Sequence, residues 1–254
     1  MTRFVRLAVA ASATLATFLA ATPSTSAAAL VHHPRQGHGQ AVGNLGWASS
    51  NWSGYAVTGS GFTSVTGSWT VQAVSATRKS TYSSQWVGID GFNNSSLIQT
   101  GTESDYSHGA RYDAWWEILP AAETVIPSLP VSPGDHMSAS VSSNGNGTWT
   151  ITIGDTTTGG SFTTVQTYSG PQTSAEWVEE APTVGGRIAT LAHYSSPQAF
   201  DPGTVNGASP KLTASDGGDM IQGGKVVSIP SNPDSDSDGF NVAYGASAPS
   251  PPAS

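Results

Sequence analysis

The sequence of 254 residues contains 9 Lys and Arg against 17 Asp and Glu, a formal net charge of −8, and it contains no cysteine. This acidic balance argues against a basic nucleic-acid-binding face, and the lack of cysteine excludes a disulfide framework and thiol chemistry. Only 10% of the residues are charged, and because acid unfolding acts mostly through paired carboxylates, such a surface predicts tolerance of low pH.

Residues 1–29 have the composition of a secretory signal peptide. Arg3 and Arg6 precede the apolar run LAVAASATLATFLAA, and the small residues SAAA follow at positions 26–29. A basic start, an apolar core and a small-residue cleavage site are typical of a signal that is removed on export. We therefore expect a secreted, extracellular protein with no membrane span in its mature form, since no later stretch is apolar over the necessary length.

Residues 30–48 are polar and glycine-rich, and they carry three of the six histidines. They are interpreted as a pro-segment or a flexible arm. In acid, the histidines and Arg35 of this segment are cationic, whereas the rest of the chain is acidic. One hypothesis is that the segment docks on an acidic groove and is later cut off; a plain linker after the signal peptide is an equal alternative.

From residue 49 to residue 245 the sequence consists of short runs rich in valine, isoleucine, threonine and aromatic residues. Turn-forming Gly, Pro, Asn and Asp-Gly separate these runs, and helical periodicity is nearly absent. Many short strands at regular spacing predict an all-β sandwich or barrel. The final segment, 246–254, is predicted to be a disordered tail rich in Pro, Ser and Ala.

Acidic and tryptophan side chains collect on one face of three predicted strands. By strand alternation, the sets that share a face are Asp113, Trp115 and Glu117 in YDAWWEIL, Trp86 and Asp90 in SQWVGID, and Glu176, Val178 and Glu180 in AEWVEEAP. Carboxylates beside tryptophans are not typical of a core, so a concave, partly wet groove is indicated. For a single strand, an edge carboxylate and a core tryptophan explain the pattern equally well, but three such strands favour a site.

The usual hydrolase signatures are missing from the sequence. It has no G-x-S-x-G elbow, no H-E-x-x-H zinc site, and no Asp-Thr-Gly or Asp-Ser-Gly frame of an aspartic-protease dyad. No metal and no cofactor are expected. DSDSDG at 234–239 resembles the start of a calcium loop, but its twelfth position is Gly245 rather than glutamate, so a solvated hairpin turn is favoured.

Five segments resemble the glutamic peptidases known as eqolisins, the scytalidoglutamic peptidase family, and the chain looks like a bacterial secreted member. In order, they are NWSGYAV at 51–57, WVGIDG at 86–91, LIQTG at 97–101, YDAWWE at 112–117 and AEWVEEAP at 175–182. Each segment alone is weak, whereas WVGIDG, QTG and YDAW-x-E in series are specific. The resemblance implies a lectin-like, jelly-roll-type β-sandwich of two antiparallel sheets.

The resemblance also implies an acid endopeptidase that acts on polypeptides, with a catalytic dyad at Gln99 and Glu180. Glu180 is preferred to Glu179 because alternation places it on the face of Glu176, whereas Glu179 points away. The supporting residues of the groove then fall on Trp86, Asp90, Asp113, Trp115 and Glu117. Glu103 stands where the family often has an aspartate, whose side chain is one methylene shorter. The roles of Glu103, Glu176 and Glu179 stay open. A monomer is expected.

The chemistry of these residue types fits peptide hydrolysis. A glutamate beside a water can act as a general base and then return the proton to the leaving amine. A glutamine amide donates to the tetrahedral oxyanion without titrating. Asp113 and Glu117 are hypothesised to orient Glu180 and to adjust its pKa.

Two other functions fit part of the pattern. A glycoside hydrolase would use Glu117 and Glu180 as paired carboxylates, but this scheme gives Gln99 no necessary role. A carbohydrate-binding module would use Trp86 and Trp115 as stacking platforms and needs no dyad. Cleavage of denatured protein or of polysaccharide in acid discriminates among the three.

Overall fold

The chain folds almost entirely into β-strands in the computed structural model. The structure describes residue 1 and residues 30–254, so the predicted signal peptide, apart from Met1, lies outside the described residues. The described part contains eighteen strands and one 3-10 helix, Ala214–Asp216. The strands are β1 Leu30–Val31, β2 Trp47–Ser49, β3 Trp52–Thr58, β4 Ser64–Thr70, β5 Ser84–Ile89, β6 Ile98–Tyr106, β7 Ala110–Ile118, β8 Thr124–Val125, β9 His136–Ser143, β10 Thr148–Asp155, β11 Gly160–Thr167, β12 Ser174–Glu180, β13 Thr183–Val184, β14 Arg187–Ile188, β15 Gln198–Val205, β16 Gly217–Gln222, β17 Lys225–Pro230 and β18 Phe240–Tyr244.

Fifteen of these strands form one hydrogen-bonded sheet that folds over into two layers, fourteen of them along a single path. The order is β11-β10-β9-β4-β15-β18-β17-β16-β3-β12-β5-β6-β7-β8, and β2 pairs in parallel with β16. Strands β4, β9 and β10 pack across the layers on β5 and β6. The predicted antiparallel β-sandwich is confirmed. Strands β16 and β17 also connect the two layers by hydrogen bonds, from β3 on one side to β18 on the other. A separate small sheet joins β1, β13 and β14.

The main core lies between the two layers and follows the period-2 pattern of the strands. In β10, Trp149, Ile151 and Ile153 are buried while the threonines between them are half-buried, as expected for a strand with one face on a core. By contrast, β5 and β12 are buried along their whole length. Both faces of these two strands are therefore covered, and the second face needs its own packing partners.

The second face carries a separate cluster of large side chains. We call this outer face of β3, β12, β5, β6 and β7 the groove floor. Its apolar members are Trp47, Trp52, Ala56, Trp86, Leu97, Trp115 and Val178. Gly101 lies opposite both Trp86 and Trp115 in the sheet register, and a Cβ there would come within 2.5 Å of Trp86 Cβ. The glycine of the QTG motif therefore allows the close approach of β5 at Gln85 and Trp86.

The segments on either side of the predicted body, 49–245, both contact it. Trp47 and Ala48, at the end of the predicted arm, belong to β2 of the large sheet, and the Trp47 ring is buried. The tail 246–254 forms no strand, but it is held against the body: Asn241 Nδ2 donates to the carbonyl of Ser250 at 2.8 Å. No helix in the described ranges is long and apolar enough to cross a membrane.

Candidate active site

Adjacent strands bring Gln99 and Glu117 side by side on the groove floor. Gln99 of β6 lies in register with Glu117 of β7, and Gln99 Nε2 donates to Glu117 Oε2 at 2.7 Å. Leu97, two residues earlier, belongs to the apolar cluster of the floor, so Gln99 is delivered to the groove and not to the inter-layer core. Burial, opposed in part by the charge of His32, raises the pKa of Glu117 to about 8.

The two neighbouring glutamates at the end of β12 lie on opposite faces. Glu180 lies on the groove floor, where Trp86 Nε1 donates to Glu180 Oε2 at 2.8 Å. Glu179 instead accepts a hydrogen bond from Gln72 Nε2 at 3.0 Å, and burial raises its pKa well above the ordinary value. The face that alternation predicts for each glutamate is the face that the structure gives it.

His32, from the segment 30–48 that we call the arm, lies among the carboxylates of the groove. Its Nδ1 is 3.0 Å from Glu180 Oε2, and its Nε2 is 2.9 Å from Glu103 Oε1 and 3.4 Å from Glu123 Oε2. The imidazole stacks on Trp115, with ring centroids 3.9 Å apart and planes 10° apart. Burial opposes the charge, but the three carboxylates outweigh it and raise the pKa of His32 well above its usual range. A buried imidazolium thus fills the centre of the groove.

The backbone of the arm contacts the same carboxylates. The N–H of His32 donates to Glu117 Oε1 at 3.3 Å, and the N–H of His33 donates to Glu180 Oε1 at 3.2 Å. Two consecutive amides of one peptide are therefore hydrogen-bonded to the two glutamates that flank the groove.

Backbone hydrogen bonds also hold the arm on both sides of His32. On one side, β1 adds antiparallel to β13; on the other, the N–H of Arg35 donates to the carbonyl of Gly91 at 3.0 Å. The Arg35 guanidinium also lies 4.2 Å from the centroid of the Phe92 ring. An extended segment with main-chain pairing and side chains in pockets is the geometry in which proteins bind peptides by strand addition.

Glu103 and Glu123 form the far wall of the His32 pocket. Burial raises the pKa of Glu103 to about 7, although His32 acts in the opposite direction. Glu103, which stands at the position of the family's aspartate in the resemblance, contacts the arm through His32. Glu123 was not predicted, because it lies in the short irregular segment before β8, where strand alternation gives no face.

Asp90 and Glu176 make no hydrogen bond with Gln99 or Glu180 among the described contacts, although Glu176 lies in the same cross-strand row as Gln99, with Gly88 between them. Asp90 accepts hydrogen bonds from the Tyr168 hydroxyl at 2.7 Å and from the N–H groups of Gln172 and Thr173 at 2.9 and 2.8 Å. These contacts fix the loop 168–173. Burial, and then the charge of Asp90, raise the pKa of Glu176 well above its usual value. The structure therefore gives Asp90 a structural role in this loop and brings it into contact with neither Gln99 nor Glu180.

Asp113 also lies away from Glu180. It forms an ion pair with Arg111 at the partly exposed end of β7, and the described contacts of Glu180 do not include it. The hypothesis that Asp113 orients Glu180 finds no support in this arrangement. Glu117, the other residue of that hypothesis, contacts Gln99 instead.

Two groups of side chains within residues 30–254 have ligand atoms close enough together for a single cation. They are His32, Glu103 and Glu123 in the groove, and Asp201, Asp234 and Asp238 outside it. In the groove, the imidazolium of His32 already supplies the positive charge.

Comparison with known proteins identifies the family to which this arrangement belongs. The sequence model of the peptidase A4 family matches residues 50–240. The chain belongs to the peptidase A4 family. The match begins after the arm, so the histidine that fills the groove lies outside the part of the chain that defines the family.

Relatives and solved structures agree with this membership. The chain is 33% identical over 175 residues to aspergillopepsin-2 of Aspergillus niger and 32% identical over 136 residues to scytalidopepsin B of Scytalidium lignicola. The alignments cover 58% and 52% of this chain, and only 61% and 51% of these curated relatives. A crystal structure of scytalido-glutamic peptidase with a transition state analog inhibitor superposes with a TM-score of 0.66 at 25% identity, over 77% of this chain and 98% of the solved one. The family resemblance drawn from five short segments is confirmed, whereas the bacterial origin stays a prediction.

Proposed function

We propose that this protein is an acid endopeptidase in which Gln99 and Glu180 form the catalytic dyad. The observation that carries the proposal is the peptide in the groove: consecutive N–H groups of the arm lie on Glu117 and Glu180, and Glu117 in turn holds Gln99. A groove that binds an extended peptide in this way, in a chain of the peptidase A4 family, fits a polypeptide substrate.

The proposed mechanism uses Glu180 for both proton transfers. As a carboxylate, Glu180 takes a proton from water, and the water oxygen attacks the scissile carbonyl carbon. The amide of Gln99 donates a hydrogen bond to the oxyanion of the tetrahedral intermediate. Glu180 then gives its proton to the leaving nitrogen as the C–N bond breaks. A peptide nitrogen 3.2 Å from Glu180 Oε1, that of His33, supports the feasibility of this last transfer.

Glu117 has a positioning role in this mechanism. A glutamine amide carries two N–H donors, and Glu117 accepts one of them at 2.7 Å, which leaves the second for the oxyanion. With a pKa of about 8, Glu117 is a neutral carboxyl in acid, and its carbonyl oxygen still accepts the bond. Glu117 therefore fixes the amide without adding a negative charge beside the developing oxyanion.

The two carbohydrate functions are weaker alternatives. Trp86 is fully buried and its indole N–H donates to Glu180, so only Trp115 is left as a stacking platform once His32 leaves it. The hydrolase scheme does not use the bond between Gln99 and Glu117. The test is incubation of the acid-treated protein with an acid-unfolded protein and with polysaccharides. We expect proteolysis that survives a pepstatin-type inhibitor and falls by about 10²–10³ in Gln99→Ala. Hydrolysis of polysaccharide, or full proteolysis by Gln99→Ala with a native circular dichroism spectrum, would refute the proposal.

We also propose that the arm is an inhibitory pro-segment. It fills the groove with a buried cation and hydrogen-bonds the proposed general base from two groups, the His32 imidazole and the His33 amide. Substrate can reach Glu180 only after the arm leaves. N-terminal sequencing of the protein after acid treatment tests this: a new start beyond His33 that accompanies the gain of activity is expected, and an active protein that still starts near Leu30 contradicts it.

Export and the monomeric state are further parts of the proposal. The basic and apolar pattern of residues 1–29 supports export, and we propose a monomer because a single chain supplies Gln99, Glu117 and Glu180 to one groove. Recovery of the protein from the culture medium with residues 1–29 removed, and a mass of one chain by light scattering, are the expected results.

A further inference from the structure

A second cluster of carboxylates lies outside the groove, where the loop between β17 and β18 meets β15. Asp234 and Asp238 come from the loop and Asp201 from the strand, and one oxygen of each lies within 4.8 Å of the others. The sequence DSDSDG is in the predicted hairpin connection. The expectation that it is solvated fails for Asp234, which is only 7% exposed.

One carboxylate oxygen of Asp234 is buried and unsatisfied. Asp234 Oδ1 accepts the N–H of Asp238 at 3.2 Å, whereas Oδ2 has no hydrogen-bond partner in the described part of the chain. A buried polar atom without a partner is destabilising, and more so when it carries charge. Asp234 Oδ2 therefore requires a positive or donating group that the described residues do not supply.

The unsatisfied oxygen faces its neighbour across a glycine. A Cβ on Gly239 would lie 2.5 Å from Asp234 Oδ2 and 2.7 Å from Asp201 Oδ1. Asp234 Oδ2 and Asp201 Oδ1 therefore both face the space beside Gly239, which any residue with a Cβ would fill.

The charges of the cluster are poorly compensated. Among residues 30–254, no Lys, Arg or His side chain forms an ion pair with any of the three carboxylates. The repulsion among these carboxylates is what a bound cation would remove.

We propose that Asp201, Asp234 and Asp238 bind a calcium ion. Calcium takes six to eight oxygen ligands at about 2.3–2.6 Å, so two of its ligands lie at most about 5 Å apart, and the spacing of these three oxygens fits. The missing glutamate at position 245 is then no obstacle, because Asp201, from another strand, supplies the third carboxylate. The ion links the β17–β18 loop to β15 and adds to the stability of the sandwich.

The test is titration of the full mature protein, arm included, with calcium alone at about pH 7. Calorimetry should detect one site, and a calcium excess of about 100-fold over Kd should raise Tm by roughly 5–10 °C. Asp234→Asn, which keeps the Oδ1 acceptor, should weaken binding at least about tenfold and abolish the rise in Tm, and Asp201→Asn should do the same. Asp236→Asn is the matched control, since it removes an equal charge from the same loop, from a residue outside the cluster.

Three results would overturn the proposal. They are no binding by the wild-type protein at millimolar calcium, equal calcium binding by Asp234→Asn and wild type, and an equal rise in Tm with magnesium, which prefers a smaller octahedral site. If Asp201→Asn fails to fold, Asp234→Asn decides alone. Loss of peptidase activity plays no part in these readouts, so failure of the proposed function leaves the calcium test intact.

Discussion

Two buried carboxylates, Asp90 and Glu180, have hydrogen-bond and ion-pair partners from different parts of the chain. Asp90 accepts hydrogen bonds from the Tyr168 hydroxyl and from backbone amides of the loop 168–173, all within the body of the fold. Glu180 is paired with His32, from an arm that precedes the region matched to the family. A carboxylate whose partners lie in the body stabilises the fold, whereas Glu180, on our proposal that the arm leaves, is uncovered for chemistry.

The largest expected effect is on the docking of the arm. His32→Ala removes one partner of a buried ion pair, which typically costs about 3–5 kcal/mol, so the docking equilibrium should weaken by about 10²–10⁴. Hydrogen exchange of the arm amides in the mature protein near neutral pH measures this. His33→Ala is the control, because His33 contacts Glu180 through its backbone N–H. Unchanged exchange in His32→Ala would show that backbone pairing alone holds the arm, and the contrast with Asp90 would fail.

For Asp90, by contrast, the substitution Asp90→Ala should lower the stability of the fold and leave the catalytic rate unchanged. Three or more hydrogen bonds to a buried carboxylate are lost, and Asp90 has a φ of 73°, a left-handed conformation that alanine adopts with strain. We expect the free energy of unfolding to fall by about 2–4 kcal/mol in denaturant titration, with kcat per folded molecule near wild type. A stable but inactive Asp90→Ala protein would place Asp90 in the site after all.

Two substitutions of Glu117 separate the role of its charge from the role of its hydrogen bond to Gln99. In acid Glu117 is already neutral, its pKa being about 8, so Glu117→Gln should change kcat less than about tenfold. Glu117→Ala removes the acceptor of the Gln99 amide and should lower kcat by about tenfold or more with little change in KM. If Glu117→Gln is as inactive as Glu117→Ala, Glu117 transfers a proton, as the glycoside hydrolase scheme requires.

The smallest effect is the pH dependence of arm docking. The pKa of His32 is raised in the docked state, so its contribution is present below its ordinary value of about 6.5 and is lost as the pH rises through the docked pKa. The pKa of Glu103 is also raised, to about 7, and by the same linkage this favours docking below that pH. Arm protection should therefore be greatest in acid and fall as the pH rises through the raised pKa values, and His32→Gln should show a smaller alkaline fall. A flat profile in the wild-type protein would contradict this.

The faces of the strands could be predicted from the sequence because a strand has a strict period of two. Leu97 predicts the face of Gln99, and Val178 predicts that of Glu180 and, by exclusion, of Glu179. The period of two does not predict where along the strand a side chain meets its partners. Asp90 was therefore expected in the site, although its partners lie in the loop 168–173.

Contacts between segments far apart in the sequence were beyond such reasoning. The basic character of the arm indicates an acidic target, but not that His32, rather than its neighbour, enters the groove. Likewise DSDSDG is readable as a loop, whereas its partner Asp201 joins it only through the packing of β15 beside β18. These pairings depend on tertiary structure, which local patterns do not encode.

The most direct test of the account compares Glu180→Gln with Glu179→Gln. Both changes remove one carboxylate from a buried position at the end of β12, on opposite faces of the same strand. With kcat/KM measured in acid on an unfolded protein substrate, and folding checked by circular dichroism, Glu180→Gln should lose at least about 10² while Glu179→Gln stays close to wild type. A folded, inactive Glu179→Gln beside an active Glu180→Gln would contradict the central claim.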